Sequence, residues 1–142
     1  MPNYFTENSD IQFYFKNLDI KEVVEIAEDN FEDAKKHNYA PTDYDDAKEN
    51  YEKVLEIIGD IAGNFIAERA ADVDEEGALL KDGKVSYAKG TKENLKQLAQ
   101  SDMMGMIFPR QYGGLNFPFT IYMMAVEIVS RADASLMNLF GL

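Results

Sequence analysis

From Tyr44 to Ile66 apolar side chains recur at intervals of three and four: Tyr44, Ala47, Tyr51, Val54, Leu55, Ile58, Ile61, Ala62, Phe65 and Ile66. That spacing gathers them on one stripe of an α-helix, whereas a strand of period two would scatter them over both faces. A helix of this length, running to about Arg69, draws most of its stability from packing, so other helices must cover its stripe. Thr42 reads as the N-cap, with Asp43, Asp45 and Asp46 in the first turn, where the positive end of the helix dipole favours carboxylates. Gly59 and Gly63 lie four apart on this helix, and each costs about 1 kcal/mol relative to alanine. Close approach of another backbone is the reading that justifies them.

The remaining elements are shorter. Ile11, Phe13, Tyr14, Phe15 and Leu18 form an aromatic segment too bulky for water, read as a docking helix or arm. Asp19 caps a following helix with Glu22 three residues on, and Ile20, Val23, Val24, Ala27 and Phe31 continue it until it fades near His37, ahead of Pro41. From Asp72 to Gly90 the pattern dissolves into charge and glycine, a surface excursion in which Asp82-Gly83 predicts a tight hairpin turn between Leu79-Leu80 and Val85-Tyr87. Thr91 restarts a helix whose face is Leu95, Leu98 and Ala99, with Gly105 as its stop. A breaker-rich loop, Phe108 to Gly114, precedes a helix opened by Pro118 and continued by Phe119, Tyr122, Met123, Val126 and Val129 to about Arg131. Asp133 caps a final run, Ala134 to Leu142, that ends apolar, as though the chain stopped in mid-architecture. The pattern predicts an all-α, up-down helical bundle with one hairpin excursion, divided into an arm and helix over 1–40 and a helical domain over 41–142.

Charge and composition narrow the function. Twenty-six acidic against 14 basic residues give a net charge of -12, which repels phosphate backbones and anionic lipid headgroups and argues against nucleic acid as a partner. No stretch reaches the ~20 apolar residues of a membrane-spanning helix, and Met1 to Asp10 does not read as a secretory signal, so a cytoplasmic address is the expectation. Cysteine is absent, which removes disulfides and thiolate metal sites.

Site chemistry is sparse. The only histidine, His37, has Ala34 where a di-iron Glu-x-x-His pair needs its glutamate, and it reads as a helix-end histidine. Asp72, Asp74, Glu76 and Gly77 imitate the start of a calcium loop, yet Gly83 stands where the bidentate carboxylate belongs. No metal site is expected. Glu22, Glu25, Glu28, Glu32 and those between Glu49 and Glu56 fall opposite the apolar stripes as solvated faces, Glu49 within ion-pair reach of Lys53. Glu127, flanked by Val126, Ile128 and Val129, is expected to be partly buried with a partner, in a structural role. No phosphate-binding glycine loop is present.

Phe108-Pro109-Arg110-Gln111-Tyr112-Gly113-Gly114-Leu115, followed by Ala125-Val126-Glu127-Ile128-Val129-Ser130-Arg131-Ala132-Asp133-Ala134-Ser135, resembles the acyl-CoA dehydrogenase family. The resemblance is strongest from Leu95 to Leu142 and looser around Tyr51 to Arg69. Met1 to Ala40 looks like the added amino-terminal portion of a longer-chain subgroup. The resemblance implies an all-helical first domain, a β-rich middle domain and a carboxy-terminal four-helix domain, with FAD mostly between the latter two. It implies α,β-dehydrogenation of an acyl-CoA by a glutamate base and the flavin, as in fatty-acid β-oxidation, with electrons leaving through an electron-transfer flavoprotein and subunits assembled as a homodimer or tetramer. The base lies beyond Leu142 in the family's order, so no catalytic residue is expected here and the chain alone should be inactive. The helix after the Arg-x-Asp-like segment lines the acyl cavity in the family, which puts Met137 and Phe140 near the pocket as substrate-binding residues, with Leu136 and Leu139 as fillers. The competing reading is an acidic helical interaction module that binds a protein through Ile11 to Leu18 and the apolar end.

Overall fold

The computed structural model describes residues 2–141. Leu142, the end of the expected final run, lies outside them. Seven α-helices follow in order: α1 (Ser9–Asn17), α2 (Lys21–Ala27), α3 (Tyr44–Ile61), α4 (Ala70–Glu76), α5 (Lys89–Gln100), α6 (Phe119–Ala132) and α7 (Ala134–Phe140). A two-stranded antiparallel hairpin, β1 (Leu79–Lys81) and β2 (Lys84–Ser86), stands between α4 and α5, so the architecture is all-α with one small excursion.

The core forms where the stripe of α3 meets α6, and α7 closes on α6 and α5. Ala47, Tyr51, Leu55, Ile58 and Ile61 are buried from α3, and Ile121, Ala125, Ile128 and Val129 from α6. Phe5, Ile11 and Phe15 join the same core from the amino-terminal segment, the rings of Phe5 and Phe15 meeting edge-on at 5.8 Å. The aromatic segment is thus split, since Phe13 and Tyr14 remain exposed. Gly59 of α3 and Gly63 just beyond it admit this segment: the Tyr4 N–H donates to the Gly59 carbonyl at 3.0 Å, a Cβ on Gly59 would stand 2.7 Å from the Phe5 nitrogen, and one on Gly63 would stand 3.2 Å from the Tyr4 ring.

Several boundaries depart from the sequence pattern. Asp43, one residue after Thr42, is the cap of α3: its carboxylate accepts from the Asp46 N–H at 2.9 Å, while Asp46 accepts from the Thr42 N–H at 2.9 Å. Beyond Ile61 the helix does not end near Arg69. It runs through a wide π turn, Ala62–Ile66, and a tight 3₁₀ turn, Ala67–Arg69, into α4, which Gly77 stops with φ +62. Asp72, Asp74 and Glu76 therefore lie on a helix rather than in a loop. A single buried anchor, Val73, holds these seven residues, too weak a periodicity to read. The hairpin turn falls where Asp82-Gly83 predicts, both residues taking positive φ (51 and 73), the signature of a two-residue turn matched to strand twist.

In α5 the buried face is Thr91, Asn94 and Leu98, not Leu95, Leu98 and Ala99, and Asp102 in the left-handed region turns the chain before Gly105. In α6, Tyr122, Val126 and Val129 are buried, while Phe119 and Met123 are exposed at 63% and 46%. Glu127 is exposed, which corrects its expected burial. Helix α2 is the largest departure. It stops at Ala27, and Asp29, Asn30 and Phe31 follow with φ of 49, 52 and 65. Asp and Asn tolerate that region, but phenylalanine does not do so readily, and such a residue costs about 1–3 kcal/mol and persists only where its surroundings enforce it. A 3₁₀ turn, Glu32–Lys35, completes the reversal.

Candidate functional site

Two places bring functional groups together. The first is α7. The Asp133 Oδ1 accepts from the Ser135 and Leu136 N–H groups at 2.9 and 3.1 Å and from the Ser135 hydroxyl at 2.6 Å, so the expected cap forms. At the other end the Tyr122 hydroxyl, from α6, donates to the Phe140 carbonyl at 3.0 Å. Leu136 and Phe140 face the core, Phe140 being 3% exposed with its ring 5.8 Å from that of Tyr122. Met137 is half-buried at the rim, with part of its side chain open to solvent. The structure therefore distinguishes the two residues expected near a pocket: Met137 is partly exposed and Phe140 is buried. Leu139 and Ser135 turn another way, into a cavity of about 260 Å³ shared with Val73, Gly77, Tyr87 and Thr91.

The second place was hidden in the sequence. Glu28, read as one of the solvated carboxylates, is completely buried and meets Arg110 in a bidentate pair, with N···O distances of 2.5 and 2.9 Å. Asp33 stands 3.5 Å from the same guanidinium. Burial by itself would lower the Arg110 pKa, but the hydrogen bond and charge of Glu28, aided by Asp33, outweigh it and hold the guanidinium above its ordinary value. Nearby, the Tyr51 hydroxyl is buried without a protein partner among the described residues, and its pKa is pushed well up, first by burial and then by the negative charge of Glu28. The signal that could have found Glu28 is its register, four residues after Val24 and eight after Ile20, both buried. Its partner, 82 residues away, has no local signature.

The pair cannot do acid–base work as it stands, because each Glu28 oxygen is engaged by a guanidinium nitrogen. It is a clamp between α2 and the loop before α6. Among the described residues no group of three His, Cys, Asp or Glu is arranged to hold a metal, and no helix is long and apolar enough to cross a membrane.

Residues 48–142 match the family described as Acyl-CoA dehydrogenase, N-terminal domain, and the chain belongs to that family. It is 33% identical over 104 residues to a 3-methylmercaptopropionyl-CoA dehydrogenase of Ruegeria pomeroyi, a stretch covering 73% of this chain and 16% of that protein. The chain thus spans only a small part of that relative's length. This membership favours the oxidoreductase reading over the acidic interaction module. The matched region begins inside α3 and takes in α4 to α7, so α1, α2 and Glu28 lie outside it while Arg110 lies within.

Proposed function

We propose that this chain serves as the amino-terminal helical domain of an FAD-dependent acyl-CoA dehydrogenase, an enzyme that oxidises the Cα–Cβ bond of an acyl-CoA thioester. Its own part is to wall the acyl chain. The observation that carries the reading is the placement of Met137: inside the family's matched region, on a capped helix, and open to solvent on one side. A methionine there offers an apolar, adaptable surface, because its unbranched thioether can follow the contour of an alkyl group. Phe140, fixed in the core, sets the position of that helix instead of the depth of a pocket.

The flavin is proposed for the enzyme as a whole. The residues of this chain do not fit it alone, since no glycine-rich loop is present to cradle a pyrophosphate. When bound, FAD would take up the substrate's hydride. An electron-transfer flavoprotein as acceptor, a homodimer or tetramer, a cytoplasmic address, and a division of this chain into an arm over 1–40 and a domain over 41–142 complete the proposal.

The test is made in the full-length gene product. Met137→Trp should raise KM for long acyl-CoAs by about tenfold, a step of a methylene or two in an apolar pocket, and spare the shortest substrates. Phe140→Ala should instead lower Tm. A Met137→Trp enzyme with unchanged chain-length preference would remove the wall, and acyl-CoA oxidation by residues 1–142 alone would remove the proposed division of labour.

A further inference from the structure

We propose that residues 28–40 form a strap, latched over the Phe108–Gly114 loop by the Glu28–Arg110 pair, that opens as a unit while the helical frame beneath stays folded. The case begins with burial. Within residues 28–40 the only buried side chains are those of Glu28 and, at the far end, the small Ala40. Phe31 rests half-buried against the core, and no apolar stripe exists that could hold the segment in another register.

What fastens the strap is polar and converges on one loop. Arg110 receives Glu28 and stands 3.5 Å from Asp33; the Asn116 side-chain amide donates to the Ala27 carbonyl at 2.8 Å; and the Tyr39 hydroxyl donates to the Gly114 carbonyl at 3.4 Å. A buried ion pair behaves as a catch, because losing either member leaves the other charged and without compensation in a site closed to water. Strain gives the direction of release. Three successive left-handed residues, Asp29 to Phe31, follow Glu28 immediately, and once the pair parts only the half-buried Phe31 ring and local backbone bonds, such as that from the Asn30 N–H to the Glu25 carbonyl at 2.8 Å, hold that conformation. The frame draws mainly on other contacts: α3, α6 and α7 share an apolar core, and α6 meets α7 also through the Tyr122 hydroxyl, while Tyr51 of α3 is its one buried residue beside the latch. Local opening with few buried apolar contacts is the pattern expected of a low-stability unit.

Amide hydrogen exchange under native conditions on the full chain tests the latch. In Arg110→Met, protection of residues 27–40 and 105–116 should fall by about tenfold or more while amides of Leu55, Ile58, Ala125 and Ile128 keep theirs, as for a separate opening unit. A uniform loss across the chain, or unchanged protection in the strap, overturns the proposal. Should the single variant not fold, Glu28→Met with Arg110→Met decides: it removes both charges and keeps bulk. A latch predicts that the double variant folds with an unprotected strap, and a strap that returns to native protection overturns it.

Discussion

The frame of α3, α6 and α7 and the strap of residues 28–40 are held by opposite physics. In the frame, side chains recur on helical stripes and interlock, so stability is spread over many small contacts and no single group decides the outcome. In the strap, one buried carboxylate stands in for a stripe, and its worth depends wholly on a guanidinium in another part of the chain. Distributed packing tolerates adjustment; a single charged catch is either made or lost.

Substitutions can break that contrast, in decreasing order of effect. Leu55→Ala removes a fully buried side chain from the centre of α3 and should cost about 2–5 kcal/mol, lowering the denaturant midpoint of the whole chain and not of one segment. If only part of the structure melts, the frame is not one cooperative unit. Gly59→Ala forces a methyl against Phe5 and should cost about 1–3 kcal/mol despite alanine's better helix propensity, seen as a lower Tm. Asp133→Ala strips the cap of α7 and should cost about 1 kcal/mol by chemical denaturation.

The smallest effect at neutral pH is expected from Tyr51→Phe, because the lost hydroxyl has no protein partner. Its signature lies at high pH. Below the ordinary tyrosine value of 10.0 folded and unfolded chains both keep the phenolic proton. Above it the unfolded chain releases the proton and the folded chain, with its raised pKa, does not, so stability falls as pH climbs from 10.0 toward the folded value. Thermal melts between pH 9 and roughly 11 should show Tyr51→Phe falling less steeply than the parent, with Tyr44 and Tyr122, also raised by burial, leaving a residual slope. Parallel slopes would mean that the Tyr51 hydroxyl reaches water.

What could be read from the sequence was local. The stripe of α3, the Asp133 cap and the Asp82-Gly83 turn each depend on residues within a few positions of one another, and each stands where the pattern puts it. Gly59 and Gly63 announced a close neighbour without naming it. The phase of α6 was not legible, because apolar residues surround most of that helix and periodicity cannot choose among several apolar faces; packing against α3 made the choice. Glu28 was hidden among carboxylates that do face water, since the reason for its burial is Arg110, and pairing over such a separation leaves no trace in spacing. The family resemblance of the Phe108–Ser135 region was legible from its motif and agrees with the match over residues 48–142. The same resemblance grouped Met137 with Phe140, whose burial differs, half-buried against nearly complete.

Helix α7 has the character of a short beam clamped at both supports, by the Asp133 carboxylate at one end and the Tyr122 hydroxyl at the other. Met137 takes part in neither clamp through its side chain. Changing that side chain would therefore redraw the contour it presents and leave its placement alone, the kind of adjustment by which one scaffold can be refitted to cargo of another shape.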